Sequence, residues 1–286
     1  MDGPRLLIVE GNLAEVRSRQ IALIGHDAGE GYIRVLKRLL PSATCDVIHP
    51  ADGEVSLADG VGLSSYDGVV ITGSALNVPQ GGPAVTRQID LVRSVFDAGV
   101  PLFGSCWGLQ VAVAAAGGVV RVNPRGREFG FARRIQLTSI GRTHPMFVGK
   151  PDVFEAPAVH RDDIETLPRA AHVLASNEMG LQATEFSFGR GKFWGVQYHP
   201  EYGYVDVSAV TQRYAAALIG AGVFGDIAAL EAFVADMRRL DADPGNSALL
   251  WKHGLGAAMA QERLRTLEIA NWLATQVSAN TRETPR

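Results

Sequence analysis

A cysteine in a glycine-flanked turn is the residue whose surroundings best suit chemistry. Cys106 lies in Gly104-Ser-Cys-Trp-Gly108, directly after the apolar residues 100–103. Glycines two positions to either side allow a strained turn in which a strand and a helix approach closely. A helix over residues 109–116 would bring its N-terminus to the sulfur, where N–H groups and the helix dipole favour a thiolate. The pattern favours a nucleophile elbow over a buried structural cysteine.

A second segment supplies residue types that could activate a thiol. Residues 193–198 have the character of a buried strand, and His199-Pro-Glu201 follows. Positions i and i+2 of an extended segment point to the same side, so Glu201 is expected to orient the ring of His199. The other ring nitrogen would then face Cys106, which is the order of a nucleophile, a base and an orienting acid. His199 alone would be a solvated loop histidine, but the two motifs together favour catalysis.

These motifs resemble those of the class I (triad-type) glutamine amidotransferases. Residues 104–110 are similar to the nucleophile motif of that family, and residues 195–201 to its histidine–glutamate motif. Further similar segments are residues 67–74, 127–130 and 160–168. The resemblance covers about residues 5–221. It is strongest to the amidotransferase domain of GMP synthase and to free-standing relatives that include γ-glutamyl peptidases.

The resemblance also implies roles for residues around the proposed nucleophile. It makes Cys106, His199 and Glu201 a catalytic triad. The backbone N–H groups of Gly73 and Trp107 would form the oxyanion hole, and a glycine there lets the backbone approach a tetrahedral intermediate. Two more residues would hold the α-amino acid end of the substrate, namely Ser74 and Gln110.

The implied reaction is hydrolysis of a γ-glutamyl amide through a thioester. Free cysteine has a pKa of about 8.5 and is only a few per cent thiolate at neutral pH, so His199 must take the proton from Cys106. The thiolate attacks the γ-carbonyl of glutamine or a γ-glutamyl compound, ammonia or an amine leaves, and water releases glutamate. No metal and no cofactor is expected.

Three functions follow from this pattern. The first, slightly favoured by the shared motifs, is a glutaminase that releases glutamate and ammonia for a separate synthetase subunit, since the sequence contains no Gly-rich P-loop. The second is a free-standing hydrolase of γ-glutamyl amides or peptides. The third, a non-catalytic binding or regulatory protein, ranks low because all three triad residues are present.

The strands and helices predicted around these residues are typical of an α/β protein. Short apolar strands at residues 5–10, 44–49 and 68–72, followed by an amphipathic helix at 84–98, predict a flavodoxin-like, doubly wound and mostly parallel sheet. Residues 11–29 read as a long connection at the C-terminal end of the first strand, where such folds keep their ligands. This connection is interpreted equally as a lid or as a surface elaboration.

The chain divides into two predicted parts. Residues 1–222 form the amidotransferase-like domain, and glycines at 220, 222 and 225 mark its end. Residues 223–286 form a helical C-terminal extension with amphipathic patterns. We expect this extension to dock on its own chain, with a homodimer surface and contact with the active-site mouth as alternatives.

The composition excludes several classes of partner. The 286 residues carry 27 basic and 30 acidic side chains, a net charge of −3, so neither a nucleic-acid footprint nor a polybasic membrane patch is present. No apolar run reaches the roughly 18 residues of a membrane span. Two cysteines, Cys45 and Cys106, are too few for a disulfide framework. A free thiol suits a reducing compartment, and a cytoplasmic location is expected.

Overall fold

The computed structural model describes residues 3–55, 57, 60–278 and 280. Its strands are β1 (Arg5–Val9), β2 (Thr44–Ile48), β3 (Gly68–Ile71), β4 (Leu102–Ser105), β5 (Val119–Val122), β6 (Glu128–Leu137), β7 (Val153–His160), β8 (Asp162–Thr166), β9 (His172–Asn177), β10 (Gly180–Phe188) and β11 (Gly191–Val196).

The helices cover the sheet and continue beyond it. They are α1 (Ala14–Ile24), α2 (Ala28–Leu39), α3 (Pro83–Ala98), α4 (Trp107–Ala115), α5 (Ser139–Thr143), α6 (Tyr204–Arg213), α7 (Ala215–Gly220), α8 (Ile227–Ala242), α9 (Ser247–Lys252), α10 (Ala257–Ala260), α11 (Glu262–Arg265) and α12 (Leu267–Trp272), followed by a π-helical turn at Leu273–Val277. No helix in the described residues is long and apolar enough to cross a membrane.

One nine-stranded sheet organises the molecule, in the order β2-β1-β3-β4-β11-β10-β9-β6-β7. The five strands from β2 to β11 run parallel, and the remaining four continue the sheet as antiparallel neighbours. This is the α/β architecture that the sequence predicts. The carboxyl ends of β1, β3, β4 and β11 meet at one edge, which is where ligands bind in open parallel sheets.

Alternate residues of β1 explain why helices lie on both faces of the sheet. Leu6 and Ile8 belong to a buried cluster that includes Tyr32 of α2. Leu7 and Val9 belong to a second cluster formed with residues of α3 and α4. Because successive side chains of a strand point to opposite faces, a continuous apolar strand requires both layers.

Part of the C-terminal extension is buried in the first of these clusters. Ile269, Trp272 and Val277 are fully buried there, beside residues of β1 and β3. A Cβ on Gly68 of β3 would lie 2.7 Å from the Trp272 ring, so the strand and this ring approach as closely as backbone allows. The extension therefore completes the core, whereas the domain boundary at 222 and the homodimer surface stay predictions.

Three segments differ from their predicted local structure. Residues 11–29 were predicted as a connection, but they contain α1 and the start of α2. Only Gln20 of α1 is buried, so the helix has no apolar stripe for a pattern to detect. The sequence predicts one helix at residues 204–219 and one at residues 257–276, but the first divides at Tyr214 and the second into α10, α11, α12 and the final turn.

Candidate active site

The turn between β4 and α4 has the geometry of a nucleophile elbow. Cys106 adopts φ 53° and ψ −99°, a backbone conformation that is rare for a residue with a side chain. Its N–H donates to the carbonyl of Val196 on the neighbouring strand over 2.8 Å. A Cβ on Gly104 would lie 2.5 Å from the carbonyl carbon of Gly108, and one on Gly108 would lie 2.6 Å from the Ile71 oxygen. Both glycines are needed because strand and helix are in backbone contact.

His199 and Glu201 form a buried hydrogen-bonded pair. Nδ1 of His199 lies 2.7 Å from Oε1 of Glu201, and the two residues are 1% and 7% exposed. The backbone of this segment differs from the predicted extended conformation. The segment is a turn, closed by the Tyr202 N–H donating to the His199 carbonyl over 3.2 Å, and it follows the end of β11 by three residues. The turn still brings the side chains of His199 and Glu201 together, as the predicted extended segment would.

The charges around His199 favour its protonated form. Burial acts to lower the pKa of His199, but the Glu201 carboxylate and the Cys106 sulfur outweigh it and raise that pKa to about 10. Nε2 of His199 has no hydrogen-bond partner among the described residues. The ring lies flat on Tyr202, with centroids 4.0 Å apart and planes inclined by 7°. Cys106 itself is 5% exposed.

The two predicted oxyanion donors lie beside this group. A Cβ on Gly73 would lie 2.4 Å from Cε1 of His199, so only a glycine fits against the imidazole. Trp107 is the first residue of α4, where backbone N–H groups have no helical acceptor. Within the described part of the chain, neither N–H donates a hydrogen bond to a protein acceptor.

A cavity of about 70 Å³ opens beside Cys106. Ser74 and Gln110 both line it, as their predicted substrate-binding roles require. Their side chains also have protein partners: the Ser74 hydroxyl donates to the Gly11 carbonyl over 2.8 Å, and Gln110 Nε2 donates to Gln197 Oε1 over 3.3 Å. No residue of α1 lines this cavity, and a lid role for the 11–29 segment stays a prediction.

Three charged residues of the cavity had no binding role in the sequence interpretation. Asp162 is 2% exposed, its Oδ2 accepts from Asn77 over 2.9 Å, and its Oδ1 has no partner among the described residues. Burial raises the pKa of Asp162. Arg127 and Arg161 form no ion pair within the described residues, and Arg127 lies over the Tyr214 ring. The three residues belong to the motif segments 127–130 and 160–168, but only the folded chain shows that they line the cavity beside Cys106.

Both ring nitrogens of His160 contact protein acceptors, unlike those of His199. Its Nε2 lies 2.8 Å from Glu128 Oε2, and its Nδ1 lies 3.0 Å from the carbonyl of Asp162. Both ring nitrogens are therefore occupied, and the ring supports the backbone that presents Asp162. Among the described residues, no group of three or more His, Cys, Asp or Glu could hold a metal ion.

The family model for class I glutamine amidotransferases matches residues 25–205, more than half of the chain. The chain belongs to the class I glutamine amidotransferase family. The match includes the elbow with Cys106, most of the residues that line the cavity beside it, and the His199–Glu201 pair. It confirms the resemblance on which the sequence interpretation depends.

Two relatives differ in the fraction of this chain that their sequences match. A γ-glutamyl-L-1-hydroxyisopropylamide hydrolase from a Pseudomonas species is 33% identical over 276 residues, which are 96% of this chain and 93% of that protein. A GMP synthase from Pseudomonas syringae pv. syringae is 29% identical over 200 residues, 65% of this chain. The present chain spans only 34% of the length of that synthase.

Solved amidotransferase structures share the fold. A glutamine amidotransferase from Thermotoga maritima superposes with a TM-score of 0.67 at 18% identity, covering 97% of this chain and 99% of the other. A glutamine amidotransferase from Methylobacillus flagellatus superposes with a TM-score of 0.56 at 17% identity, covering 98% of this chain and 94% of the other. Both likenesses extend over the C-terminal helices, so those helices are part of an architecture seen in other proteins of this fold.

Proposed function

We propose that this chain hydrolyses the γ-amide bond of a γ-glutamyl compound through a thioester on Cys106, with His199 and Glu201 completing a catalytic triad. One observation carries the proposal. Cys106 lies on a strained elbow beside a histidine whose pKa is raised to about 10 by Glu201 and by Cys106 itself. A thiolate and an imidazolium stabilise each other in this arrangement, which provides a nucleophile at neutral pH.

The reaction proceeds in two halves. The Cys106 thiolate attacks the γ-carbonyl carbon, and the negative charge moves to the carbonyl oxygen, which the N–H groups of Gly73 and Trp107 stabilise. The C–N bond then breaks, and the protonated His199 gives its proton to the leaving nitrogen. In the second half, His199 takes a proton from water, the hydroxide attacks the thioester, and glutamate leaves with the thiolate restored.

The charges of the cavity suit the α-amino acid end of a γ-glutamyl group. Arg127 and Arg161 are the proposed partners of the α-carboxylate. Asp162 is the proposed partner of the α-ammonium group, through the oxygen that has no partner among the described residues. Ser74 and Gln110, whose polar groups are held by neighbours, shape the wall of the cavity beside these charges.

The nature of the amide separates two candidate functions. Similarity to a γ-glutamylamide hydrolase extends over 96% of this chain and 93% of the relative, which supports a free-standing hydrolase of γ-glutamyl derivatives of small amines. The similarity to GMP synthases supports a second candidate, a glutaminase that supplies ammonia to a separate synthetase subunit, because the chain spans about a third of such a synthase. We favour the first.

Glutamate release by the purified protein tests the proposal. The substrates are L-glutamine, γ-glutamyl-ethylamide, γ-glutamyl-hydroxyisopropylamide and a γ-glutamyl dipeptide. The expected result is turnover of an alkylamide at a kcat/KM at least tenfold above that for glutamine. Cys106→Ala abolishes it, while Cys45→Ala, which removes the other cysteine of the chain, retains it.

Two outcomes would contradict the proposal in different ways. Glutamate release that persists in Cys106→Ala would exclude the thioester mechanism. A wild-type protein that is labelled at Cys106 by 6-diazo-5-oxo-L-norleucine but cleaves glutamine slowly and alkylamides not at all would favour the glutaminase with a partner.

A further inference from the structure

The turn that follows β1, residues 10–12, contacts the oxyanion loop. The carboxamide of Asn12 makes two hydrogen bonds to it: Nδ2 donates to the Gly73 carbonyl over 3.2 Å, and Oδ1 accepts from the Ala75 N–H over 2.9 Å. Asn12 is 3% exposed. One buried side chain thus holds both ends of the segment that carries the proposed donor Gly73.

Glu10 holds this carboxamide from its other side. Oε1 of Glu10 accepts from Asn12 Nδ2 over 2.7 Å, and Oε2 accepts from the Asn12 N–H over 3.2 Å. Since the Ala75 N–H can only donate and the Gly73 carbonyl can only accept, the oxygen of Asn12 must point to Ala75 and its amide nitrogen to Gly73 and Glu10. Arg17 Nη1 donates to the Asn12 carbonyl over 2.7 Å and closes the arrangement from α1.

The same turn also touches the second proposed donor. The Gly11 carbonyl accepts from Gln88 Nε2 over 3.2 Å, and Gln88 Oε1 accepts from the indole N–H of Trp107 over 2.7 Å. The Ser74 hydroxyl donates to that same Gly11 carbonyl over 2.8 Å. A Cβ on Gly11 would lie 2.8 Å from Cδ1 of Trp107, so the indole rests directly on this backbone.

We propose that residues 10–12 set the spacing of the oxyanion hole, with Asn12 as a positioning residue that acts on Gly73 while Gly11 and Gln88 act on Trp107. The inference rests on the proposed function, since it assigns these residues to the same reaction. An oxyanion hole stabilises charge because its donors are fixed before the reaction, so a displaced donor lowers the rate of the chemical step. The charged residues proposed to bind the substrate, Asp162, Arg127 and Arg161, lie outside the segment 73–75, so KM is expected to change less than kcat.

Asn12→Ala is the variant that tests this inference. Asn271→Ala is its matched control, because the carboxamide of Asn271 also makes two hydrogen bonds to backbone groups, the carbonyls of Met146 and Val148, but lies in α12. We expect Asn12→Ala to lower kcat for a γ-glutamyl alkylamide about 10–100-fold with KM changed less than threefold. Asn271→Ala retains kcat.

Two reactions of Cys106 separate the oxyanion hole from the thiolate. Acylation by p-nitrophenyl acetate passes through a tetrahedral oxyanion and releases nitrophenolate, whereas alkylation by iodoacetamide displaces iodide at a saturated carbon and forms no oxyanion. Asn12→Ala is expected to slow acylation at least tenfold and to leave alkylation within twofold. Glu10→Gln keeps an oxygen acceptor for the Asn12 amide and should retain the acylation rate, while Glu10→Ala should lose it.

The outcomes distinguish this inference from the proposed function. A wild-type protein that cleaves no γ-glutamyl amide contradicts the function, and the acylation assay then decides the inference alone. Acylation at the wild-type rate in Asn12→Ala, or no acylation of wild-type Cys106, overturns the inference. Equal losses of acylation and alkylation also overturn it, because they show general damage. Should Asn12→Ala not fold, Gln88→Leu, which cuts the link to Trp107, carries the same expectations.

Discussion

The imidazole of His199 lies parallel to the phenol ring of Tyr202, 4.0 Å away between centroids. Glu201 holds one edge of the imidazole, and Tyr202 covers one face, so the ring is restrained in both tilt and rotation. Cys106 and Gly73 lie beside its other sides. The stacking follows from the turn at residues 199–202, which brings Tyr202 back over the residue three positions before it.

Removing the aromatic ring of Tyr202 should leave the imidazole of His199 less restrained in orientation. We expect Tyr202→Leu to lower kcat about tenfold, because a displaced imidazole misses the proton transfer. Tyr202→Phe should retain at least half of kcat, since it keeps the ring. The comparison of kcat in the two variants is the measurement, and equal activity in Tyr202→Leu and the wild type would show that Glu201 alone orients His199.

Replacing Glu201 by glutamine should lower the pKa of His199 and slow the reactions of Cys106. Glu201 is the larger of the two charges that raise the pKa of His199 above its ordinary 6.5. Without that carboxylate the imidazolium loses its proton at lower pH, so the thiolate is no longer paired with a cation around neutrality. We expect slower iodoacetamide alkylation of Cys106 at pH 7 and a loss of kcat of at least 100-fold.

Glu15→Gln is the control for that substitution, because Glu15 lies exposed on α1 and pairs only with Arg19 within the described residues. Alkylation profiles that coincide in the wild type and Glu201→Gln would contradict the assigned pairing.

Glu10 should make stability fall as the pH rises. Burial, with a smaller contribution from Asp27, raises the pKa of Glu10 from 4.5 to about 7, against the opposing effects of Asn12 and Arg17. Between these values the folded chain holds a proton that the unfolded chain has lost, so the free energy of unfolding decreases with pH by about 3 kcal/mol. Below pH 4.5 both states are protonated, so the contribution is fully present and no longer changes with pH.

Urea unfolding of the wild type and Glu10→Gln at pH 4.5, 6 and 8 measures this contribution. The difference in free energy should shift in favour of the glutamine variant as the pH rises, since glutamine cannot ionise. Parallel stability curves for the two proteins over this range would rule out the raised pKa.

The glycine before the elbow should tolerate no side chain. Gly104→Ala places its Cβ 2.5 Å from the backbone of Gly108, and backbone cannot move aside as a flexible side chain can. We expect a loss of stability of about 1–3 kcal/mol together with loss of activity. Gly220→Ala is the control, because nothing lies within 4 Å of that position at the end of α7. Thermal unfolding of both variants provides the comparison.

A buried ion pair should anchor the extension to the strand that leads to His199. Glu268 of α12 accepts from Tyr198 over 2.5 Å and lies 2.8 Å from Lys150 Nζ, and both charged side chains are at most 1% exposed. Glu268→Ala leaves the buried Lys150 ammonium group without its carboxylate partner, for a loss of about 3–5 kcal/mol. The double variant Lys150→Met with Glu268→Leu should be markedly more stable than Glu268→Ala in urea unfolding.

Local patterns predicted the elements that carry the chemistry. The glycines around Cys106 and the apolar strands before Cys106 and His199 are signals confined to a few residues, and both elements formed where expected. The helix α1 was missed because its stabilising contacts lie in other parts of the chain, as in the bond from Arg213 to Gln20. A helix without an apolar stripe has no signature in its own residues.

The sequence by itself determined the family, the α/β class and the candidates Cys106, His199 and Glu201, because motif spacing is a property of consecutive residues. Tertiary structure decided which distant segments share one edge of the sheet. It placed Asp162, Arg127 and Arg161 around Cys106, set Asn12 against Gly73, and buried Trp272 beside β3. Those relations depend on parallel strand order and on helix packing, which join residues far apart in the chain and leave no local pattern to read.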